Sequence, residues 1–449
     1  MTFPACPCAP HILIVGLAAL LVGCAHTPAP SKEAPPSAVT CPDGVPAEAR
    51  CLRGQDSAGA HYLIVVPKDW NRRLVVHAHG GPTLGEPQAS RADEDIKRWA
   101  ITVRAGYAWA GSVFRQGGVA VRSAAEDTER VRRIFVEHVA QPTLTLLHGQ
   151  SWGANVAAKA AEMYAAPGQR SPYAGVLLSS GVLAGGTRSY DFRLDLRVVY
   201  QYLCNNHPRP DEPQYPLWMG LPADSKLTRA ELASRVDECL GVRKPAAQRT
   251  PEQASRLKTV VDVIRIPETS VIAHLNWATW HFQDIVQNRT GGLNPFDNAQ
   301  VRYTGSTDDA ALNAGVLRYR ADPKAVALFG ADTDLTGRIG IPVLTVHGIG
   351  DPTAFVELES AFRQTMEGAG TASHLVQVYS DHRDHSYLSD PIYPTLFDAL
   401  VRWAQQGDKP TPAGLAQLCK TYEARFGPGC RLLPDYQPAP LEARVAPRR

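Results

Sequence analysis

Short hydrophobic runs alternate with amphipathic stretches over two parts of this 449-residue chain. Runs rich in β-branched and aromatic residues begin at His61, Arg73, Gly106 and Gly175, and they predict strands. Only a few polar residues separate the first two runs, which predicts a hairpin. The stretch 126–139 instead spaces its apolar residues along one helix face. This alternation predicts an α/β fold, with a mostly parallel sheet and helices on both faces.

A further stretch joins a predicted strand directly to a predicted helix. Residues 143–148 predict a buried strand, and they are followed at once by Gly149-Gln-Ser-Trp-Gly153 and then by residues rich in Ala, Lys, Glu and Met. A serine at such a turn takes a strained conformation that exposes its hydroxyl, while flanking glycines relieve the crowding. The first amides of the helix lie beside it. Ser151 is therefore a candidate nucleophile, and the alternative is an ordinary glycine-rich turn.

The alternation stops at about residue 185 and resumes at about residue 336. A long insertion within one sheet explains this better than two domains, because neither half alone completes a sheet. The expected organisation is a first half of the core over 41–184, a large, mainly helical lid over 185–335 and a second half over 336–433. Residues 434–449 are expected to form a disordered tail.

The N-terminus has the pattern of a targeting segment. Residues 12–23 are an apolar run that is long enough for a signal peptide and too short to span a bilayer. The run ends in Leu21-Val-Gly-Cys24, which resembles a bacterial lipobox with Cys24 as the lipidated residue. We therefore expect a signal peptide over 1–23, a Pro- and Ala-rich tether over 24–40 and a lipid anchor in a membrane. The alternative is a soluble periplasmic or secreted form.

Charge and cysteine content further limit the partners and the cellular compartment that the sequence allows. The chain has 46 basic and 44 acidic residues, so no nucleic-acid partner is expected. Six of its nine cysteines follow Cys24, and an even number in an exported chain favours disulfides. Their spacing suggests sequential pairing, as Cys41 with Cys51, Cys204 with Cys239, and Cys419 with Cys430.

A serine nucleophile needs a base, and the base needs an acid that holds its tautomer. Asp351 directly follows an apolar strand, and His382 and His385 follow the next one. The order Ser151, Asp351, histidine matches the order found in α/β-hydrolases. Other acids are available at 332, 334, 381 and 384, but only Asp351 directly follows a strongly apolar strand.

With these motifs the chain resembles an α/β-hydrolase over about 60–184 and 336–406. His79-Gly-Gly-Pro82 together with the Ser151 motif also resembles the proline iminopeptidase branch. The C-terminal part, in which a histidine precedes the last helix, is more similar to secreted or lipoprotein esterases.

The resemblance implies roles for individual residues. The backbone amides of Gly81 and Trp152 would form the oxyanion hole. His385 would be the base, because the family's histidine occupies the later position, and His382 is the alternative base. A metal shared by the two histidines is the less favoured interpretation, and no metal or other cofactor is expected. The aromatic residues 277–282 would either line a substrate pocket or form the core of the insertion.

The sequence thus predicts an exported serine hydrolase that cleaves a carboxylic ester through an acyl-enzyme intermediate. Its expected partners are a small or oligomeric ester substrate and, through the lipid on Cys24, a membrane. An aminopeptidase or amidase is the main alternative. A non-catalytic envelope binding protein is the less favoured one, because such a protein has no need of a complete triad.

Overall fold

One ten-stranded sheet forms the centre of the protein in a computed structural model that describes residues 1–2 and 33–448. Within these residues the strands are β1 (Ser37–Val39), β2 (Arg50–Gln55), β3 (His61–Val66), β4 (Arg73–Ala78), β5 (Ala108–Ser112), β6 (Leu144–Gln150), β7 (Gly175–Ser179), β8 (Val343–Gly348), β9 (Leu375–Ser380) and β10 (Leu432–Leu433). Their order across the sheet is β1-β2-β3-β5-β4-β6-β7-β8-β9-β10.

The six neighbouring strands from β5 to β9 are parallel to one another, whereas β1, β2, β3 and β10 pair antiparallel with their neighbours. Because parallel strands need crossover connections, helices must cover the faces of this part of the sheet. The α-helices among the described residues are α1 (Arg91–Arg104), α2 (Val121–His138), α3 (Trp152–Tyr164), α4 (Gly186–Ser189), α5 (Asp191–Cys204), α6 (Arg229–Leu240), α7 (Pro251–Ile264), α8 (Val271–Asn276), α9 (Phe282–Asp284), α10 (Asp309–Gly315), α11 (Pro323–Thr333), α12 (Leu358–Gly368), α13 (Ile392–Gln406) and α14 (Pro412–Phe426). In the part of the chain that the structure describes, no helix combines the length and the apolarity needed to cross a membrane.

Successive residues of the central strands enter two different hydrophobic cores. In β4, Leu74 and Val76 pack in the core formed with α2, α3 and α12, whereas Val75 packs in the core formed with α1, α13 and α14. This alternation is the two-residue period of a strand whose two faces are both covered. The predicted α/β-hydrolase fold, a mostly parallel sheet with helices on both faces, is confirmed.

The insertion between β7 and β8 is a cap made of α4 to α11, and it has a hydrophobic core of its own. Two π-helical segments, Trp277–His281 and Ile285–Arg289, interrupt its α8–α9 region. Such π-helical turns are rare and occur frequently at functional sites. The helical insertion lies where the alternation of strands and helices stops in the sequence.

The predicted hairpin is wrong. Strands β3 and β4 are not neighbours, because β5 lies between them and pairs with both. Four consecutive residues of β3, 62–65, are buried, and so are residues 74–78 of β4. A hairpin with one exposed face would show alternating apolar and polar residues, and these two strands do not, because both of their faces are covered. The short connection between them was therefore not sufficient evidence that they pair with each other.

Both ends of the described chain are more ordered than expected. Residues 434–448 are not a disordered tail, because Leu441 and Val445 are buried and Arg448 forms ion pairs with the cap. Residues 33–40 of the expected tether also pack: Ser37–Val39 extends the sheet, and Glu33 accepts a hydrogen bond from Ser57. The composition of both segments predicted disorder, but their few apolar and charged side chains pack against or bind the rest of the protein. The remaining tether, Cys24 and nearly all of the expected signal segment lie outside the described residues.

Three disulfides join the expected pairs of cysteines. The bond between Cys41 and Cys51 links the loop after β1 to β2, and that between Cys419 and Cys430 links α14 to the chain before β10. Within the cap, the bond between residues 204 and 239 joins the end of α5 to α6. The helix α14 itself was missed by the sequence analysis, which ended at α13.

Candidate active site

Ser151 lies at the turn from β6 to α3, near the middle of the parallel strands. Its φ of 57° is a strained value for a residue other than glycine. The flanking glycines are required by close approach: a Cβ on Gly149 would lie 2.2 Å from the Gly153 carbonyl oxygen, and one on Gly153 would lie 2.1 Å from that of Ala78. The local sequence therefore produces a tight turn that holds the serine at the edge of the sheet.

The hydroxyl of Ser151 hydrogen-bonds to His385, and His385 hydrogen-bonds to Asp351. Nε2 of His385 is 2.8 Å from Oγ of Ser151, and Nδ1 of His385 is 2.7 Å from Oδ2 of Asp351. The other carboxylate oxygen of Asp351 accepts the amides of Thr353 at 2.8 Å and Ala354 at 3.0 Å. The three side chains thus form one continuous hydrogen-bonded chain.

Sheet topology explains why residues so distant in sequence meet. Ser151 follows β6, Asp351 lies three residues beyond the end of β8, and His385 lies five residues beyond the end of β9. These strands are parallel, so their carboxyl ends lie at the same edge of the sheet. The fold therefore brings together the three residues that the sequence analysis selected.

Asp351 is ionised over the whole physiological range. Burial alone would raise the pKa of this carboxyl, but the charge of His385 and hydrogen bonds from His347 and His385 lower the pKa to about 2. A permanently charged acid can hold the Nδ1–H tautomer of His385 and leave Nε2 free to accept a proton from the serine.

His347, on β8 behind Asp351, was not selected from the sequence. Its Nδ1 is 3.1 Å from Oε1 of Glu359, its Nε2 is 2.8 Å from the Ala354 carbonyl oxygen, and Oδ2 of Asp351 is 3.5 Å from Nε2. The side chains of His347, Asp351 and Glu359 are all fully buried. Burial lowers the pKa of His347, but its hydrogen bonds to the two carboxylates raise it to about 10. The only signal in the sequence was a histidine inside a strongly apolar strand.

The alternative base has a different environment. Nδ1 of His382 is 2.5 Å from Oγ of Ser380, and its carbonyl oxygen accepts the amide of Gly350 at 3.1 Å. Burial lowers the pKa of His382. These bonds join the loops after β8 and β9, so His382 is placed to shape the loop, while His385 contacts the serine.

Two of the alternative acids, Asp332 and Asp334, bind elsewhere. Asp332 accepts the amides of Val121 and Arg122 at the start of α2, at 3.1 and 2.9 Å. Asp334 accepts the amide and the hydroxyl of Thr187, at 3.1 and 2.5 Å. Asp332 therefore connects the cap to the core, whereas Asp334 joins the end of α11 to α4 at the start of the cap.

The His79–Pro82 segment follows β4 at the same edge of the sheet. Gly81 has a φ of 72°, and a Cβ added there would meet nothing within 4 Å, so its backbone conformation and not lack of space favours glycine. Trp152 is the first residue of α3, where amides have no partner within the helix. Gly81, on the loop after β4, and Trp152, at the start of α3, therefore both lie at this edge of the sheet.

Two cap histidines contact the loops on opposite sides of the serine. Nε2 of His274 is 2.9 Å from the carbonyl oxygen of Pro352, next to the acid, and Nε2 of His281 is 3.1 Å from that of Pro82. Trp277 lies between them and stacks on His281 at 4.7 Å. Of the aromatic residues 277–282, Phe282 is fully buried in the cap core and Trp277 and Trp280 pack against that core, whereas His281 contacts the loop that carries Gly81.

His382 and His385, which were considered as metal ligands, have the partners described above, and a histidine of β4 also has a partner of its own. His77 lies in the core, where its Nδ1 is 3.0 Å from Nδ1 of His148 and its ring packs against Trp99. Within residues 33–448, no three His, Cys, Asp or Glu side chains are arranged to hold a metal ion.

No family model matches this sequence, and no curated protein matches it either. Feruloyl esterase B from Aspergillus oryzae is similar in structure with a TM-score of 0.40 and 12% identity, over 84% of this chain and 88% of that one. For Candida antarctica lipase A the TM-score is 0.42 and the identity 10%, over 85% and 83%. The rice cell wall degrading esterase LipA from Xanthomonas oryzae has a TM-score of 0.39 and 13% identity, over 85% and 100%. The fold assignment depends on the strand order and the nucleophile turn described above, not on these similarities.

Proposed function

We propose that this protein is a serine hydrolase that cleaves carboxylic esters through an acyl-enzyme intermediate. The observation that carries the proposal is the hydrogen-bonded chain from Ser151 through His385 to Asp351, at 2.8 and 2.7 Å. A hydrogen-bonded chain of this kind activates a hydroxyl that is otherwise a weak nucleophile.

In the first half of the reaction, Oγ of Ser151 attacks the ester carbonyl carbon while its proton moves to Nε2 of His385. The carbonyl π electrons move onto oxygen, and the amides of Gly81 and Trp152 stabilise the resulting oxyanion. When the intermediate collapses, the bond to the alcohol oxygen breaks, and His385 protonates the leaving alcohol. The serine then carries the acyl group as an ester.

In the second half, His385 takes a proton from water, and the hydroxide attacks the acyl carbon. The second tetrahedral intermediate collapses by breaking its bond to Oγ, which regains a proton from His385. Asp351 stays ionised throughout and stabilises the imidazolium that forms in each half. The products are a carboxylic acid and an alcohol, and no cofactor takes part.

The acidic residues of the cap favour an ester over an aminopeptidase substrate, because three of them already bind partners within the protein. An aminopeptidase needs an acidic group that binds the substrate's ammonium. Asp284 accepts the amide of Val119 at 2.9 Å, Asp191 lies 3.4 Å from Arg448, and Asp195 forms an ion pair with the same arginine. Acidic groups engaged in this way are poor receptors for an additional ammonium group.

The test is labelling with a fluorophosphonate, in which Oγ of the active serine attacks phosphorus and displaces fluoride. We expect an adduct on Ser151 by peptide mass spectrometry, and no adduct in Ser151→Ala, which removes only an almost buried hydroxyl (7% exposed) and should fold normally. p-Nitrophenyl esters should be hydrolysed, and aminoacyl p-nitroanilides should not. An adduct on another serine, or turnover of anilides alone, would overturn the proposal.

We propose in addition that the protein is exported and anchored by a lipid on Cys24. The support is the apolar run that ends in Leu21-Val-Gly-Cys24, together with the three disulfides in the described chain. Mass spectrometry of the mature protein should find a diacylated Cys24 at its N-terminus, and Cys24→Ser should leave the precursor uncleaved. An unmodified mature protein in the soluble fraction would contradict the anchor without affecting the hydrolase proposal.

A further inference from the structure

Arg193 is a buried cation in the part of the cap that covers the site. It lies in the first turn of α5 and is only 5% exposed. The segment that connects β7 to α5 runs beside the nucleophile, because the amide of Val182 donates to the Ser151 carbonyl oxygen at 3.1 Å. The start of α5 is therefore tied to the serine turn by a short stretch of chain.

Arg193 lacks the partners that a buried guanidinium normally has. Its one hydrogen bond to the described residues is a long one, from Nη1 to the Ser189 carbonyl oxygen at 3.4 Å, and its buried Nε has no partner. No carboxylate of residues 33–448 forms an ion pair with it. Burial lowers the pKa of Arg193 to about 9, so the group is still charged at neutral pH. Buried charges are rarely left unpaired without a functional reason.

Two other buried arginines of this region have more partners than Arg193, although each also keeps two buried nitrogens without a hydrogen bond. Arg197, one turn further along α5, donates to the carbonyl oxygens of Gly220 and Ala278 and to Oγ1 of Thr279, each at 3.2 Å. Arg448 forms ion pairs with two cap aspartates. These contacts give both arginines a structural role, whereas Arg193 has a single long hydrogen bond to a carbonyl oxygen and no carboxylate partner among the described residues.

Aromatic rings hold the Arg193 guanidinium in place. Its central carbon lies 4.4 Å from the ring centre of Trp277, 4.5 Å from that of Phe192 and 5.4 Å from that of Tyr190. Ring faces attract a cation, but they do not accept its in-plane N–H groups in the geometry of a carboxylate. The guanidinium is therefore held in an apolar environment, and some of its N–H groups remain available to donate hydrogen bonds.

Two series of contacts connect Arg193 to the loops of the site. In the first, it lies over Trp277, which stacks on His281, whose Nε2 contacts the Pro82 carbonyl oxygen beside Gly81. In the second, its neighbour Phe192 packs at 5.1 Å on His274, which contacts the loop of Asp351. After burial itself, the charge of Arg193 is among the causes that lower the pKa of both histidines. The cation thus lies between the two cap residues that border the serine.

We propose that Arg193 binds a carboxylate carried by the ester substrate, so that the preferred substrates are esters with a free carboxylate in their acyl or alcohol part. The planar fork of a guanidinium matches a carboxylate with two parallel N–H···O bonds. Substrate binding would supply a carboxylate partner to a buried cation that has none among residues 33–448. This inference rests on the proposed ester hydrolase function and names its substrate class.

The experiment compares matched esters that differ only in charge. On the acyl side, the p-nitrophenyl monoester of glutaric acid is compared with p-nitrophenyl valerate, and on the alcohol side, 4-acetoxybenzoate is compared with phenyl acetate. We expect kcat/KM to favour the carboxylate member in at least one pair, after correction for the intrinsic hydrolysis rates. Arg193→Met should lower kcat/KM for the carboxylate ester about 10- to 100-fold and should leave kcat/KM for the neutral ester unchanged.

Two further variants separate charge recognition from structure. Arg193→Lys keeps the charge without the fork and should restore only part of the preference. Arg188→Gln is the matched control, because this nearby arginine is already paired with Glu442 at 2.8 Å. This variant should not change kcat/KM for either ester. If Arg193→Met does not fold, the wild-type enzyme still decides: glutarate should inhibit hydrolysis of the neutral ester competitively, and glutaramide should not.

Failure of this inference differs from failure of the proposed function. Equal preference for charged and neutral esters, with Ser151 still labelled by the fluorophosphonate and no inhibition by glutarate, would overturn the role of Arg193 alone. An equal loss for both esters in a folded Arg193→Met variant would also overturn it, because it would show a purely structural role. Absence of both labelling and ester turnover would instead refute the hydrolase.

Discussion

His347 should be a major determinant of stability, because it is the cation between two buried carboxylates. In His347→Leu, the carboxylates of Asp351 and Glu359 would lose the partner that now lies 3.5 and 3.1 Å away, with no access to solvent. Removing one member of a buried ion pair costs about 3–5 kcal/mol, so we expect the free energy of unfolding at pH 6 to fall by about that amount. Urea unfolding followed by tryptophan fluorescence measures it.

The loss should be partly reversible by a second substitution. Glu359 also accepts hydrogen bonds from Thr345 at 2.6 Å and Gln377 at 2.7 Å, and a glutamine at this position still has an oxygen that accepts them. The double variant His347→Leu/Glu359→Gln should therefore be more stable than His347→Leu by about 1–3 kcal/mol, because one uncompensated buried charge is gone. No recovery would show that the charge on Glu359 is not the cause.

The pH dependence gives an independent check of the same reasoning. The pKa of His347 in the folded protein is about 10, because hydrogen bonds to the two carboxylates outweigh the effect of burial. Its usual value is about 6.5, so the stabilisation is complete below pH 6.5 and is lost as the pH rises towards 10. Between pH 7 and 9 the group contributes a decrease of about 1.4 kcal/mol per pH unit, which His347→Leu should lack. A cost below about 1 kcal/mol, or an equal cost at pH 6 and 9, would refute the argument.

The remaining predictions concern the base, the acid and the cap disulfide. His385→Ala should lower kcat/KM by a factor on the order of 10⁴ to 10⁶ and His382→Ala by only about tenfold, and the reverse result would exchange their roles. Asp351→Asn should lower kcat on the order of 10⁴-fold by allowing the wrong tautomer, and activity close to wild type would exclude it as the acid. The bond between Cys204 and Cys239 spans 35 residues. Replacing both by serine should therefore cost about 4 kcal/mol in urea unfolding, and an unchanged midpoint would contradict that estimate.

The residues of the site could be selected from the sequence because their chemistry has local signatures. The turn at Ser151 needs glycines on both sides, since β6, α3 and β4 approach too closely for a side chain. Asp351 was distinguished by the apolar strand before it, since parallel strands bring their carboxyl ends to the same edge. The choice of His385 over His382 came from resemblance alone, because periodicity places neither residue of a loop.

Contacts between distant parts of the chain could not be selected in this way. Hydrophobic runs identified β3 and β4 as strands but not β5 as their common neighbour, since pairing depends on how the whole sheet closes its buried faces. The same limit applies to residues 434–448, whose composition suggests disorder while two apolar side chains and one arginine bind the cap.

The sequence by itself determined the class of fold, the candidate nucleophile and the order of the three candidate triad residues, because burial patterns and strained turns are encoded by residues close together in the chain. Only the tertiary structure decided which charges are compensated. His347 lies between two carboxylates that follow it in the chain, one on the loop after β8 and one on α12, and Arg193 lies among aromatic rings with no carboxylate of the described residues paired to it. A charged residue looks the same in the sequence in both situations, and its energetic meaning depends on what the fold places around it.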